Sequence, residues 1–225
     1  MRLLDEITTR GAEIRERLRR LFHRREYPQD TKTFLLRAYV DIALEHHDAI
    51  WLLAKCRLNG SAFAIVRLVF DAMFRAFWIN KVATDEQIEQ AIDDKLGFRI
   101  SKILGQIKQG YFSDRPPEEA QQFDRLLQLL KEVWGPMCSY THSGALQLAR
   151  RFTGDELKRD YSEGEIAEAL NLVTVALLLL MHTFFVSMGC HKDAKETGTM
   201  LQQYNVDFGE RLRAANTDEN ERKAK

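Results

Sequence analysis

Residues 60–79 read GSAFAIVRLVFDAMFRAFWI, and the reading of this stretch decides the fold class. Arg67, Asp71 and Arg75 recur every four residues and so share one face of a helix, while Phe63, Val66, Val69, Phe70, Met73, Phe74 and Trp78 cover most other directions. A helix that is apolar nearly all round belongs in a core. A charge taken into a core must be paired or it costs several kcal/mol, and one Asp between two Arg leaves one positive charge over. That cation needs either a carboxylate from another helix or an anionic ligand. Asp41, Glu45 and Asp48 lie at helical spacing on the preceding segment and are the candidate internal partners.

Outward from this stretch, helical spacing recurs and no sustained period-two alternation competes with it. Tyr27-Pro28 closes a first helix over about residues 3–25. Asp30 or Thr31 caps a second, which Asn59-Gly60 ends with a left-handed signal before Ser61 caps the charged helix. Thr84-Asp85-Glu86-Gln87 and Ser162-Glu163-Gly164-Glu165 both have the form of a capping box. The first opens a helix running toward Gly105 or Gly110. Pro116-Pro117 starts another that reaches Trp134, where Gly135-Pro136 breaks or kinks it. The expectation is an all-α, single-domain bundle of about seven helices over residues 1–215, followed by a flexible tail over 216–225.

Composition narrows the function classes. The chain has 225 residues, and its 33 basic and 33 acidic side chains cancel, so no global field favours nucleic acid or membrane. Any such partner needs a local patch. Cys56, Cys138 and Cys190 are odd in number and widely spaced, which points to reduced thiols used as small core hydrophobes in a cytoplasmic protein. No secretory signal is expected at the start of the chain. Residues 170–186 are apolar enough to raise the question of a membrane span. Their interruption by Asn171, Thr174 and His182 favours a buried core helix and no integral membrane association.

Four constellations could carry chemistry. The stripe of Arg67, Asp71 and Arg75 suits a carboxylate or phosphate, because guanidinium groups make paired hydrogen bonds and stay charged. Tyr140, His142 and Ser143 lie just past the expected helix break, where an imidazole could exchange a proton near neutral pH. Asp41, Glu45, His46, His47 and Asp48 suggest a metal, but the paired Glu-x-x-His motifs of a carboxylate-bridged site are absent, so neither metal nor cofactor is expected. The seven arginines between Arg10 and Arg25 could follow a phosphate backbone, sit on an acidic membrane or form a solvated helix face. Glycine-rich phosphate loops do not occur.

The combination of residues 60–72, GSAFAIVRLVFDA, with the later Tyr140-Thr141-His142-Ser143-Gly144 resembles bacterial all-α families similar to the HEPN (higher eukaryotes and prokaryotes nucleotide-binding) superfamily. That resemblance implies a helical bundle, often dimeric, many of whose members are metal-independent RNases of toxin and antiphage systems. HEPN RNases carry an Arg followed after four to six residues by a His on one helix. Here only Arg17 and His23 have that spacing, so the family's catalytic assignment is not carried over. From residue chemistry instead, Arg67 and Arg75 would stabilise a phosphate and His142 would move a proton, with Asp71, Tyr140 and Ser143 as ligand-binding neighbours. The expected partners are RNA or a nucleotide and a second copy of the chain. The competing expectation is a non-catalytic interaction module or homodimeric scaffold, in which the charges only fix packing.

Overall fold

The computed structural model describes residues 3–93, 99–111, 117–153, 156–157 and 160–223. The described residues form α1 (Leu3–His23), α2 (Thr31–Lys55), α3 (Asn59–Lys81), α4 (Asp85–Ile92), α5 (Ile100–Tyr111), α6 (Pro117–Thr141), α7 (Ala145–Ala149), α8 (Glu163–Ser187) and α9 (His191–Lys223). The fold is an all-α multi-helix bundle. A two-residue antiparallel ladder, β1 (Phe152–Thr153) with β2 (Glu156–Leu157), is the single extended pairing among the described residues.

Local chemistry sets most helix ends. Asp30 accepts from the Thr33 backbone N–H at 2.9 Å and caps α2. Both expected capping boxes form, Thr84 with Gln87 at α4 and Ser162 with Glu165 at α8. The α2–α3 corner departs from the expectation. Arg57, not Gly60, takes the left-handed conformation (φ 58°), and the Leu58 N–H reaches back to the Leu53 carbonyl at 2.8 Å. The Leu58 carbonyl then accepts from Ser61 and Ala62, so α3 starts at Asn59 and Ser61 is not its cap. Gly60 is needed for another reason. A Cβ there would lie 2.7 Å from the Tyr161 hydroxyl and 2.9 Å from Arg151 Nη2.

Two further expectations are revised. Residues 84–110 yield two helices, α4 and α5, and residues 94–98 lie outside the described set. Gly135-Pro136 does not break α6, which carries Pro136 within it and ends only at Thr141. A proline inside a helix forgoes one hydrogen bond, and packing of α6 on α3 offsets that loss. Helical backbone in α9 continues to Lys223, beyond residue 216.

Packing centres on α3 and α8. α3 touches α2, α5, α6 and α8, while α8 touches α1, α2, α3 and α9. The α2–α3 and α8–α9 connections are only three residues long, which makes each pair an antiparallel hairpin. Val173, Leu177, Leu178, Met181 and Phe185 of α8 are completely buried, each contributing about 1.5–3 kcal/mol of transfer free energy. α8 is long and apolar enough to cross a membrane, and within this fold most of it is covered by neighbouring helices. More than half of its apolar stretch is therefore buried against the rest of the chain.

α1 crosses α2 so closely that a Cβ on Gly11 would sit 2.1 Å from the Trp51 ring. Behind that ring, Trp51 Nε1–H donates to His47 Nε2 at 3.1 Å, and Thr174 Oγ1 lies 3.2 Å from the same nitrogen. His47 and Thr174 are fully buried. Burial pushes His47 down to about 3, because a charged imidazole there would lose its hydration and Arg15 adds like-charge repulsion. None of the three cysteines is buried: Cys56 is exposed, Cys138 and Cys190 are half-buried, and all three are free thiols.

Candidate functional site

Arg67 projects from α3 where the last turn of α6 crosses it. Two ties set that crossing. Thr141 Oγ1 bonds the Met137 carbonyl of its own helix at 2.8 Å and the Ala64 carbonyl of α3 at 3.0 Å, and the Tyr140 ring packs 5.1 Å from Phe63. α6 then turns sharply. Ser143 takes φ 53°, and Gly144 N–H donates to the Ser139 carbonyl at 2.6 Å. Ser139 Oγ in turn accepts from the Leu146 N–H that opens α7. These bonds leave His142 exposed at the corner, with its ring directed at α3.

Arg67 Nη1 lies 2.9 Å from His142 Nε2. A guanidinium has donors and no acceptor, so Nε2 must accept; this assigns the proton of the neutral ring to Nδ1. The Arg67 guanidinium also sits 5.1 Å from the Trp134 ring centroid, a cation–π arrangement one face of α6 upstream of His142. Among the described residues no carboxylate pairs with Arg67. The structure therefore brings together two of the three expected catalytic residues, from positions 75 residues apart in sequence.

Arg75 is not part of this group. Its Nε donates to Asp71 Oδ2 at 2.9 Å, one turn back on α3, and it also interacts with Tyr39. Burial alone would lower the Arg75 pKa, but the bonds to Asp71 and Tyr39 outweigh it and hold the pKa up. Eight residues along a helix put Arg75 roughly 12 Å from Arg67 along the axis. Asp71 is thus the counterion of Arg75. The stripe is half-buried, not fully buried, and Leu68 beside it is open to solvent at 37% exposure.

The remaining expectations resolve differently. Tyr140 is buried in an aromatic cluster with Phe63 and Tyr161 and interacts with Arg150, which is ion-paired to Glu165 at the start of α8. Ser143 serves the left-handed corner. Asp48 pairs with Arg15 and Arg19 of α1, so it is not the counterion of the stripe, and Asp41 and Glu45 face solvent. All seven arginines of the first helix segment meet acids: Arg10 with Glu13, Arg15 and Arg19 with Asp48, Arg17 with Glu196, Arg20 with Glu16, Arg24 and Arg25 with Asp193. That face clamps α1 to α2 and α9 instead of presenting an unmatched cationic track. Asp193 is completely buried; burial raises its pKa, yet the bonds from Arg25 and Arg24 prevail and hold the carboxylate below its usual range. Sequence reading missed Trp134, whose place under Arg67 depends on the α3–α6 crossing and leaves no local signal.

No curated protein and no solved structure matches the chain. A family profile matches residues 40–210, a span that takes in Arg67, Trp134 and His142, and by that match the chain belongs to DUF6988, a family of unknown function.

Proposed function

We propose that this protein binds a phosphate-bearing ligand at the Arg67–His142 pair, with single-stranded RNA as the substrate class and a HEPN-like, metal-independent cleavage as the chemistry. The observation that supports this reading is a guanidinium whose polar partner is a neutral imidazole nitrogen rather than an acid. Such a guanidinium keeps its full charge for a phosphodiester. On binding, Arg67 turns its N–H groups to the non-bridging oxygens and releases His142 Nε2. The freed nitrogen takes the 2′-hydroxyl proton, the 2′-oxygen attacks phosphorus, and the bond from phosphorus to the 5′-oxygen breaks. The proton returns from the imidazolium to the departing 5′-oxygen, leaving a 2′,3′-cyclic phosphate. Trp134 offers a flat face for a neighbouring base. A cytoplasmic location and a homodimer belong to this reading.

A second reading is the non-catalytic interaction module. It is favoured by the position of the pair at the C-terminal end of α6, where the negative end of the helix dipole attracts a cation and gives Arg67 a structural use. The exposed Phe34 (64%) and Leu52 (63%) on α2 would then be contact surface. Incubating the purified chain with unstructured RNA, with and without EDTA, separates the two. Cleavage that survives EDTA and disappears in both Arg67→Ala and His142→Ala supports the enzyme; RNA left intact by the wild type leaves the module.

A further inference from the structure

The outward side of α2 carries a second pattern beside its core pattern. Leu36, Val40, Leu44, His47 and Trp51 are the buried side. On the other side Ala38, Ile42, Glu45, Ala49, Leu52 and Cys56 follow one another at alternating steps of four and three residues, the spacing of the contact seam of a two-helix coiled coil. Ile42 is 40% exposed and Leu52 63%, and Phe34 extends the apolar line toward the start of the helix. α1 flanks the line on one side, where Arg15 and Arg19 reach Asp48, and α3 flanks it on the other. Leucines exposed singly are ordinary, but apolar residues ordered in seam spacing along one helix make a contact face.

A second copy of α2 completes this line in antiparallel register. A two-fold axis at the level of residue 47 places Ile42 of each copy against Leu52 of the other, Ala38 against Cys56 and Glu45 against Ala49. The alanines let the two backbones approach, and the short Ala49 side chain leaves the Glu45 carboxylate room to turn toward water. Charge selects the same arrangement. Asp41 and Lys55 are both exposed and lie two heptads apart on one flank of the seam. About 21 Å along the helix axis separates them, so they cannot meet within one chain. Antiparallel packing brings Asp41 of each copy to Lys55 of the other, twice by symmetry, whereas a parallel pair keeps the full separation between them.

We propose that the outward face of α2 is an interface for a second copy of this chain, the two helices packing antiparallel along the seam from Ala38 to Cys56. The inference rests on the homodimer named under the proposed function and gives it a surface and a register. The seam is about 27 Å long, and so short a contact buries less than the roughly 800 Å² per partner of a standard interface, which sets the dissociation constant at about micromolar to tens of micromolar. Glu45 is its costly member: a carboxylate in an apolar seam weakens the pair while disfavouring other registers. The Arg67–His142 pair belongs to α3 and α6, so each copy keeps its own site.

Sedimentation equilibrium of the full chain up to about 200 μM tests it, and a reversible monomer–dimer equilibrium is expected. Ile42→Asp with Leu52→Asp should leave a monomer of unchanged helicity, both positions being exposed. Glu45→Leu should tighten the dimer about tenfold, and this result decides if the double aspartate variant unfolds. Asp41→Lys should weaken it about tenfold, with affinity restored by adding Lys55→Asp to the same chain. Register is read by Ala38→Cys oxidised with glutathione disulfide: peptide mapping should join the introduced thiol to Cys56 of the other copy. A chain that stays monomeric, a dimer that survives both aspartates, a charge swap without rescue, or a Cys56–Cys56 bond in the wild type would each overturn the proposal. RNA left intact by a chain that dimerises through α2 removes the enzymatic reading and leaves this one standing; cleavage by a monomer does the reverse.

Discussion

At the scale of single residues, two arginines that look equivalent in the sequence have different partners. Arg75 spends its charge on Asp71, whereas Arg67 donates to an imidazole. Arg67→Ala is expected to weaken binding of a short RNA at least tenfold with little change in stability, since a solvent-accessible polar pair contributes at most about 1 kcal/mol. Arg75→Ala should do the reverse, leaving RNA affinity near wild type and lowering the unfolding midpoint by removing a half-buried ion pair. Fluorescence-anisotropy titration beside thermal denaturation of both variants checks the contrast. Equal losses of affinity in the two would mean that the stripe acts as one unit. Periodicity placed both residues on one helix face correctly. It could not tell which had a partner, because the partners of Arg67, Trp134 and His142, lie on a helix far along the chain.

At the scale of helices, two contacts hold α1 in place and each makes a prediction. Gly11 lies against the Trp51 ring with no room for a methyl group, so Gly11→Ala should destabilise by about 1–3 kcal/mol despite alanine's better helix propensity. A rise in the melting temperature would show that α1 can slide off Trp51. Asp193 joins the end of α1 to the beginning of α9 through Arg24 and Arg25. Asp193→Asn leaves two partly exposed cations facing a neutral amide and should cost about 1–3 kcal/mol in urea unfolding. A loss below about 1 kcal/mol would place that pair among ordinary surface bridges. Helix starts were legible wherever a cap is local in sequence, as at Asp30, Thr84 and Ser162. The α2–α3 corner was not, because Asn59-Gly60 carries the residues of a left-handed turn while Arg57 adopts it and Gly60 answers to Tyr161 and Arg151. Likewise Pro136 reads as a break, and only the contacts of α6 with α3 reveal why the helix continues.

At the scale of the whole molecule, acid stability and the central functional claim can both be measured. His47 titrates at about 3 in the fold against 6.5 when unfolded, so the unfolded chain binds the proton first as pH falls. Stability on this account is full above pH 6.5 and declines below it, by about 2–3 kcal/mol on reaching roughly pH 4.5. Asp193, with its lowered pKa, adds a further loss only at more acidic pH, as the carboxylate is protonated below its ordinary range. Urea unfolding at several pH values should show a shallower acid dependence in His47→Gln than in the wild type. An identical slope would place the proton elsewhere. The all-α class and the burial of α8 were open to the sequence because they depend on summed apolar content. The pairing of Arg67 with His142 was not, since it depends on one crossing of α3 and α6. The most direct measurement is the ring spectrum of His142 in the full chain, titrated with a 2′-O-methyl dinucleotide that cannot be cleaved and assigned by its loss in His142→Ala. A saturable shift of the Nε2 signal, absent in Arg67→Ala, is the result the account predicts; a His142 ring that does not respond to the dinucleotide would contradict it.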